Sequence, residues 1–219
     1  MKSKMQSNLL DKNSCLQKLK TDGFFTFHNE AIKDVNVKEF KEMCTDLTYE
    51  RGQSFKTSNA AGFSLSNRSI FADEFMVSLF DELDVKLQDI FVTHEYKTGS
   101  KARNNFLHFD RLRSLKVLVY LTDVGLQDGP FSLVKGSHTT GMKLRRGFSS
   151  FNDYEEKKNR IDIDYPEINY DLHPITGPAG TTVVFDSDVF HMGGDVKEGG
   201  ERLIVRSHWY KDYDWRVKS

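Results

Sequence analysis

The sequence is short of several things, and each shortage removes a class of explanation. It holds two cysteines, Cys15 and Cys44, in 219 residues. Two thiols are too few for a disulfide framework, and their spacing fits no metal-binding motif. The expected compartment is a reducing cytoplasm. Charge of one sign is also lacking, since 31 basic residues against 32 acidic ones leave a net charge of -1. Such a balance sets up no global field for nucleic acid or an anionic membrane, so neither is an expected partner. Long hydrophobic runs are missing as well. Residues 1–13 carry four charges and no apolar stretch long enough for a signal peptide. No later segment approaches the roughly 20 apolar residues of a spanning helix. Neither internal repeat, low-complexity tract nor linker divides the chain. Its length suits one well-cored domain over 1–219, acting on a small-molecule substrate as a monomer or weak homodimer.

What is present alternates between helical and strand patterns. Leu16 and Leu19 share one face of a short helix that should stop at Asp22-Gly23, ahead of a strand over 23–27. Val37, Phe40, Met43 or Cys44, and Leu47 recur at helical spacing, and so do Met76, Leu79, Phe80, Leu83, Leu87 and Ile90. These predict helices over about 37–47 and 73–90. The polar stretch 49–69 reads as a loop long enough to act as a substrate lid, and the charged stretch 139–173 as a solvated insertion or a second lid. Strands are predicted over 91–96, 114–124, 131–134, 181–185 and 202–210. On the second of these, Lys116, Leu118, Tyr120 and Thr122 form one face and Leu115, Val117, Val119 and Leu121 the other. About seven or eight strands, with helices mostly ahead of them, point to a mainly β fold with supporting helices: a jelly-roll, cupin-like barrel.

The chemistry concentrates at 105–110, Asn-Phe-Leu-His-Phe-Asp. Residues i and i+2 of a strand point to the same face, so His108 and Asp110 can reach one point in space. The pattern is weak alone, because seven histidines and 32 acidic residues yield about one His-x-acid by chance. This chain has a second, His28-Asn29-Glu30, with no long apolar strand after it. His108 differs in having a distant partner: the buried-strand pattern 181–185 is followed, after a short loop, by His191. Two imidazoles and one carboxylate make the facial triad of non-haem Fe(II) oxygenases, which leaves adjacent coordination positions open. Zinc could take the same ligands. Arg202, eleven residues after His191, favours iron, because an inward guanidinium can hold the distal carboxylate of 2-oxoglutarate through two parallel hydrogen bonds. Arg206 shares its face and hints at an anionic or hydroxylated substrate. Lys116 reads either as a snorkelling surface residue or as a partner for a bound carboxylate.

Together, several blocks resemble the phytanoyl-CoA dioxygenase-like branch of the Fe(II)/2-oxoglutarate-dependent oxygenases. They are Leu19 to Phe24, His108-Phe109-Asp110, Leu121-Thr122-Asp123, Asp128-Gly129-Pro130-Phe131, Lys135-Gly136-Ser137-His138, 180–186, His191 and Arg202. The resemblance implies a double-stranded β-helix using Fe(II), 2-oxoglutarate and O₂. It implies His108, Asp110 and His191 as iron ligands and Arg202 as the partner of the co-substrate's distal carboxylate. Two departures stand out. The chain is short for the family, and Gly193 replaces a hydroxyl residue often found two places after the distal histidine. Lys116, Tyr96 and Thr122 are then the candidates for a second co-substrate contact. Related halogenases lack the carboxylate, so Asp110 implies hydroxylation, with desaturation or epimerisation left open. The competing reading is a non-catalytic or zinc-containing cupin-like protein that binds a small molecule.

Overall fold

A capped helix leads into the fold. The structure is a computed structural model describing residues 11–44, 54–58, 70, 74–96, 106–110, 113–147 and 160–210. Helix α1 (Lys12–Asp22) begins under the Asp11 carboxylate, which accepts from the Asn13 and Ser14 N–H groups. It ends at Gly23, whose φ of 82° belongs to glycine and whose N–H returns to the Leu19 and Lys18 carbonyls. Strand β1 (Phe24–His28), a 3-10 turn (Glu30–Asp34) and α2 (Val37–Met43) follow. After them come β2 (Ser54–Ser58), α3 (Glu74–Leu83), β3 (Lys86–Tyr96), β4 (Leu115–Tyr120) and β5 (Phe131–Val134). The remaining elements are α4 (His138–Arg146), α5 (Ile161–Asp164), β6 (Leu172–Pro174), β7 (Thr181–Asp186), β8 (His191–Gly193) and β9 (Glu201–Tyr210).

The strands form two antiparallel sheets, a six-stranded one ordered β1-β7-β4-β9-β3-β2 and a three-stranded one ordered β6-β5-β8. This is the jelly-roll, or double-stranded β-helix, anticipated above. Period-two alternation divides the large sheet's side chains between two cores. Val117, Val119, Val184, Leu203 and Val205 meet Phe40, Met76, Leu79 and Phe80 of the helices on the outer face. Leu118, Tyr120, Val183, Phe185 and Ile204 meet Phe131 and Leu133 of the small sheet on the inner face. A third cluster, Leu107, Phe109, Val134, Ile161 and Phe190, backs the small sheet. The site described below lies on the inner face.

Several boundaries differ from expectation. The helix predicted over 73–90 stops at Leu83, because Asp84 takes a φ of 53°; Leu87 and Ile90 then belong to β3. Leu83 and Leu87 fit helical spacing, yet a left-handed residue between them breaks the helix. Strand β2 falls inside the expected loop. Its Ser-Phe-Lys-Thr-Ser has one apolar residue and draws its order from pairing along β3 at the sheet edge. The insertion expected to be solvated contains α4, whose Gly141 and Arg145 are buried. Leu47 of the predicted second helix, residues 49–53 and 59–69 of the predicted lid, and Phe148, Phe151 and Tyr154 of the insertion lie outside the described residues.

Tyr120 ties the sheets together. It is fully buried, donates its hydroxyl hydrogen to the Ile175 carbonyl at 2.8 Å and accepts the Phe131 N–H at 3.0 Å. Tyr120→Phe removes one oxygen and leaves two buried backbone groups unsatisfied. Urea unfolding should show a loss of about 2 kcal/mol or more, against a near-zero change for a Tyr170→Phe control on the exposed surface.

Candidate metal centre

The centre is assembled by backbone pairing between two segments far apart in the chain. His108 donates its N–H to the His191 carbonyl at 3.0 Å, and His191 donates to the His108 carbonyl at 2.7 Å. Residues exchanging both bonds sit directly opposite each other, which extends the small sheet beyond β8 by one bridge. Their rings lie 4.4 Å apart between centroids. Asp110, two residues on, anchors its N–H on the Ser187 carbonyl at 2.9 Å. Ligand atoms of His108, Asp110 and His191 all fall within 4.8 Å of one another. One ion can touch all three after side-chain shifts of about 1 Å, given metal–ligand bonds near 2.1 Å.

Hydrogen bonding decides which ring nitrogen is free. The Nδ1 atoms of His108 and His191 lie 3.0 and 2.7 Å from the carbonyls of Phe106 and Val189. A carbonyl only accepts, so each Nδ1 carries the hydrogen and each Nε2 keeps its lone pair for the cluster. Burial, helped by the neighbouring His191, pulls the His108 pKa down to about 3, so its ring is neutral at physiological pH. Burial pushes the Asp110 carboxyl up, but the attraction of its cationic surroundings, led by the Lys116 ammonium, outweighs it and holds the group well below the usual carboxylate range. Two neutral nitrogens and one carboxylate are the donor set a ferrous ion needs, so the residues fit the metal the resemblance implies.

Lys116 is buried, not snorkelling: its Nζ lies 2.5 Å from Asp110 Oδ2. Arg202 is buried on the inner face of β9, and its Nη2 pairs with Glu95 of β3, the residue directly opposite. Its Nε and Nη1 have no hydrogen-bond partner, which leaves donors for a carboxylate. The guanidinium lies against β8, where a Cβ on Gly193 would meet Nη2 at 3.3 Å. Arginine thus fills part of the space in which the resemblance expects a hydroxyl side chain. Burial lowers the Arg202 pKa to about 9, still charged at neutral pH.

The other co-substrate candidates separate. Thr122 accepts the Leu203 N–H through Oγ1 at 3.1 Å, beside Arg202. Tyr96 does not join the site. It stands opposite Glu201, one residue past Glu95, and period two turns it to the other face of the sheet, where its ring meets His94. His28 and Glu30, the competing motif, lie 3.7 Å apart with both side chains largely exposed, away from the cluster.

Sequence reasoning missed Arg145. From α4 it donates through Nη2 to the Asp110 carbonyl at 2.6 Å and through Nε to Asp188 Oδ1 at 2.5 Å, with its guanidinium over the Phe109 ring. It thereby grips the backbone that carries the His-x-Asp pair. A usable signal was Gly141, four residues earlier on the same helix face, where any Cβ would collide with the Asp188 carbonyl. Glu95 was missed too, and its only sequence signal is alternation with the apolar side of β3, where Ile90 and Val92 are buried.

Comparison with known proteins bears on the fold and the family. The epimerase SnoN from nogalamycin biosynthesis, solved with Fe3+, α-ketoglutarate and nogalamycin RO, superposes with a TM-score of 0.69 at 14% identity, over 91% of this chain and 83% of that one. HygX from Streptomyces hygroscopicus, solved with nickel, 2-oxoglutarate and hygromycin B, gives 0.58 at 15% identity, over 91% and 87%. At such identities the likeness concerns the fold. The ectoine dioxygenase of Stutzerimonas stutzeri (strain A1501) is 32% identical over 115 residues, a match spanning 44% of this chain and 38% of that protein. The pattern of phytanoyl-CoA dioxygenase (PhyH) matches residues 19–204, a range containing His108, Asp110, His191 and Arg202, and the chain belongs to that family.

Proposed function

We propose that this protein is an Fe(II)- and 2-oxoglutarate-dependent dioxygenase that hydroxylates a small-molecule metabolite, with release of succinate and CO₂. The observation that supports it best is the convergence of His108, Asp110 and His191 within 4.8 Å, together with two buried Arg202 donors, Nε and Nη1, that have no hydrogen-bond partner. Ferrous iron with 2-oxoglutarate supplies the oxidative decarboxylation and the activation of O₂ that a C–H hydroxylation requires.

The chain's own residues do the rest. His108 and His191 present lone pairs fixed by the Phe106 and Val189 carbonyls. Asp110 supplies the one negative charge, and Lys116 keeps it ionised and oriented. Arg202, steadied by Glu95, offers its Nε and Nη1 donors for the distal carboxylate, with Thr122 as a neighbouring polar contact; Lys116, opposite His208, stands at the Asp110 end of the site instead. Phe131 and Phe185 pack on the His191 ring, exclude water and leave the reacting carbon a dry wall. Cys15 and Cys44 are buried and form no disulfide, which suits a reducing cytoplasm. Among the described residues no helix is long and apolar enough to cross a membrane.

Two measurements test the reading. Anaerobic Fe(II) plus 2-oxoglutarate should give a visible metal-to-ligand charge-transfer band, lost in His191→Ala together with retained iron by elemental analysis; a wild-type protein without the band refutes it. Arg202→Ala should keep iron but weaken 2-oxoglutarate by about ten- to a hundredfold, the worth of roughly 1.5–3 kcal/mol for hydrogen bonds between charged groups. Unchanged co-substrate affinity would remove Arg202 from its assigned role.

A further inference from the structure

A second polar cluster lies on the inner face of the large sheet, next to the three ligand candidates. Lys116 on β4 stands directly opposite His208 on β9, and Arg206 follows one pleat along, opposite Leu118. Positions two apart on a strand share a face, so all three project toward the space that holds Asp110. The Arg206 guanidinium packs over the Phe91 ring at 5.1 Å, and the same ring lies 4.7 Å from His208. That stacking fixes the plane of the fork without using its donors. Arg206 Nε and His208 Nε2 are both buried with no hydrogen-bond partner.

The neighbouring anions are already committed. Asp188 takes Arg145 and Glu95 takes Arg202, while Asp110 takes Lys116. Among the described residues Arg206 has no ion pair, and Asp110 is the carboxylate whose charge acts on both it and Lys116. Two cations therefore face one anion. A divalent ion and a dianionic co-substrate add equal and opposite charge, so that imbalance persists in the loaded site. Arg202 and Arg206 are separated on their face by Ile204, roughly 13 Å along the strand. With a free donor on each guanidinium, the strand offers one fork to the co-substrate and one to something else.

We propose that Arg206, flanked by Lys116 and His208, is a subsite for an oxyanion on the substrate, so that the substrate is a small molecule bearing a carboxylate, sulfate or phosphate group. Its meaning as a substrate subsite rests on the oxygenase reading; its existence as an oxyanion site does not. The fork would hold two oxygens through parallel hydrogen bonds, with His208 donating from Nε2.

Isothermal titration of the 219-residue chain without added metal, using inorganic sulfate and acetate at constant ionic strength, tests it. At least one anion should bind saturably, about tenfold or more weaker in Arg206→Gln and within about twofold of wild type in Arg146→Gln, a control at an exposed arginine. Arg206→Lys, which keeps the charge but loses the fork, should weaken binding severalfold, and it decides the matter if the Gln variant does not fold. No saturation below about 50 mM, or equal binding by wild type and both Arg206 variants, overturns the proposal. A separate reading comes from the Fe(II)–2-oxoglutarate charge-transfer band. If Arg206→Gln weakens 2-oxoglutarate as severely as Arg202→Gln does, Arg206 belongs to the co-substrate and the proposal falls. If wild type gives no band while sulfate or acetate binding depends on Arg206 as expected, the oxygenase reading fails and the oxyanion site stands.

Discussion

Everything functional in this molecule depends on the paired backbone hydrogen bonds between His108 and His191. Side chains alone could not bring two imidazoles from positions 83 residues apart to a ring separation of 4.4 Å, because each has rotamer freedom to lose. Exchanged N–H···O=C bonds remove that freedom at the level of the main chain. The remaining degree of freedom, rotation of each ring, is taken by the carbonyls of Phe106 and Val189. Arg145 then fastens the outer segment by its grip on the Asp110 carbonyl and Asp188. A metal arriving at such a cluster would meet donors already oriented, which is the condition for binding without large reorganisation.

The buried ion pairs are better understood as orienting devices than as sources of stability. Lys116–Asp110, Arg145–Asp188 and Arg202–Glu95 all sit at low side-chain exposure. Desolvating such charges offsets most of their attraction, and an apolar replacement of equal volume would often be no less stable. Pairs on the surface, such as Lys38–Glu42, contribute little for the opposite reason, screening by water. Stability comes from the apolar layers: the helices on the outer face and the two sheets closing on Tyr120, Phe131 and Phe185. The polar groups are concentrated on the inner face between those layers, where a ligand can be enclosed.

Much of this was legible in the sequence. Period-two alternation assigned the two faces of β4 correctly, and the same rule brought His108 and Asp110 to one side. Apolar character alone misleads about Lys116: a lysine amid Leu and Val reads as a surface residue, and only the neighbouring carboxylate explains its burial. Alternation also shows why Tyr96 fails where Glu95 succeeds, since one residue of register reverses the face. Arg145 was hidden because helical arginines in a charged stretch are usually solvated, and the residue that buries it, Asp188, lies 43 positions away. Strand β2 was hidden for a related reason. An edge strand draws on main-chain pairing rather than on its own apolar side chains, so composition carries no trace of it.

The distribution of charge along β9 connects the fold to recognition. The strand alternates between a mainly apolar outer row of Leu203, Val205, Ser207 and Trp209 and an inner row of Arg202, Ile204, Arg206 and His208. Two guanidiniums in one buried row repel each other, and each loses hydration, so a fold selected for stability alone would place Leu or Val there. Glu95 neutralises one and the Phe91 face shields the other, but neither saturates its donors. The unmet hydrogen-bonding capacity becomes favourable only when oxyanions are bound, because a ligand that binds the folded chain alone adds its binding free energy to folding. On this argument β9 holds together as a strand through its outer row and recognises anions through its inner row. Its two-residue period keeps these demands apart.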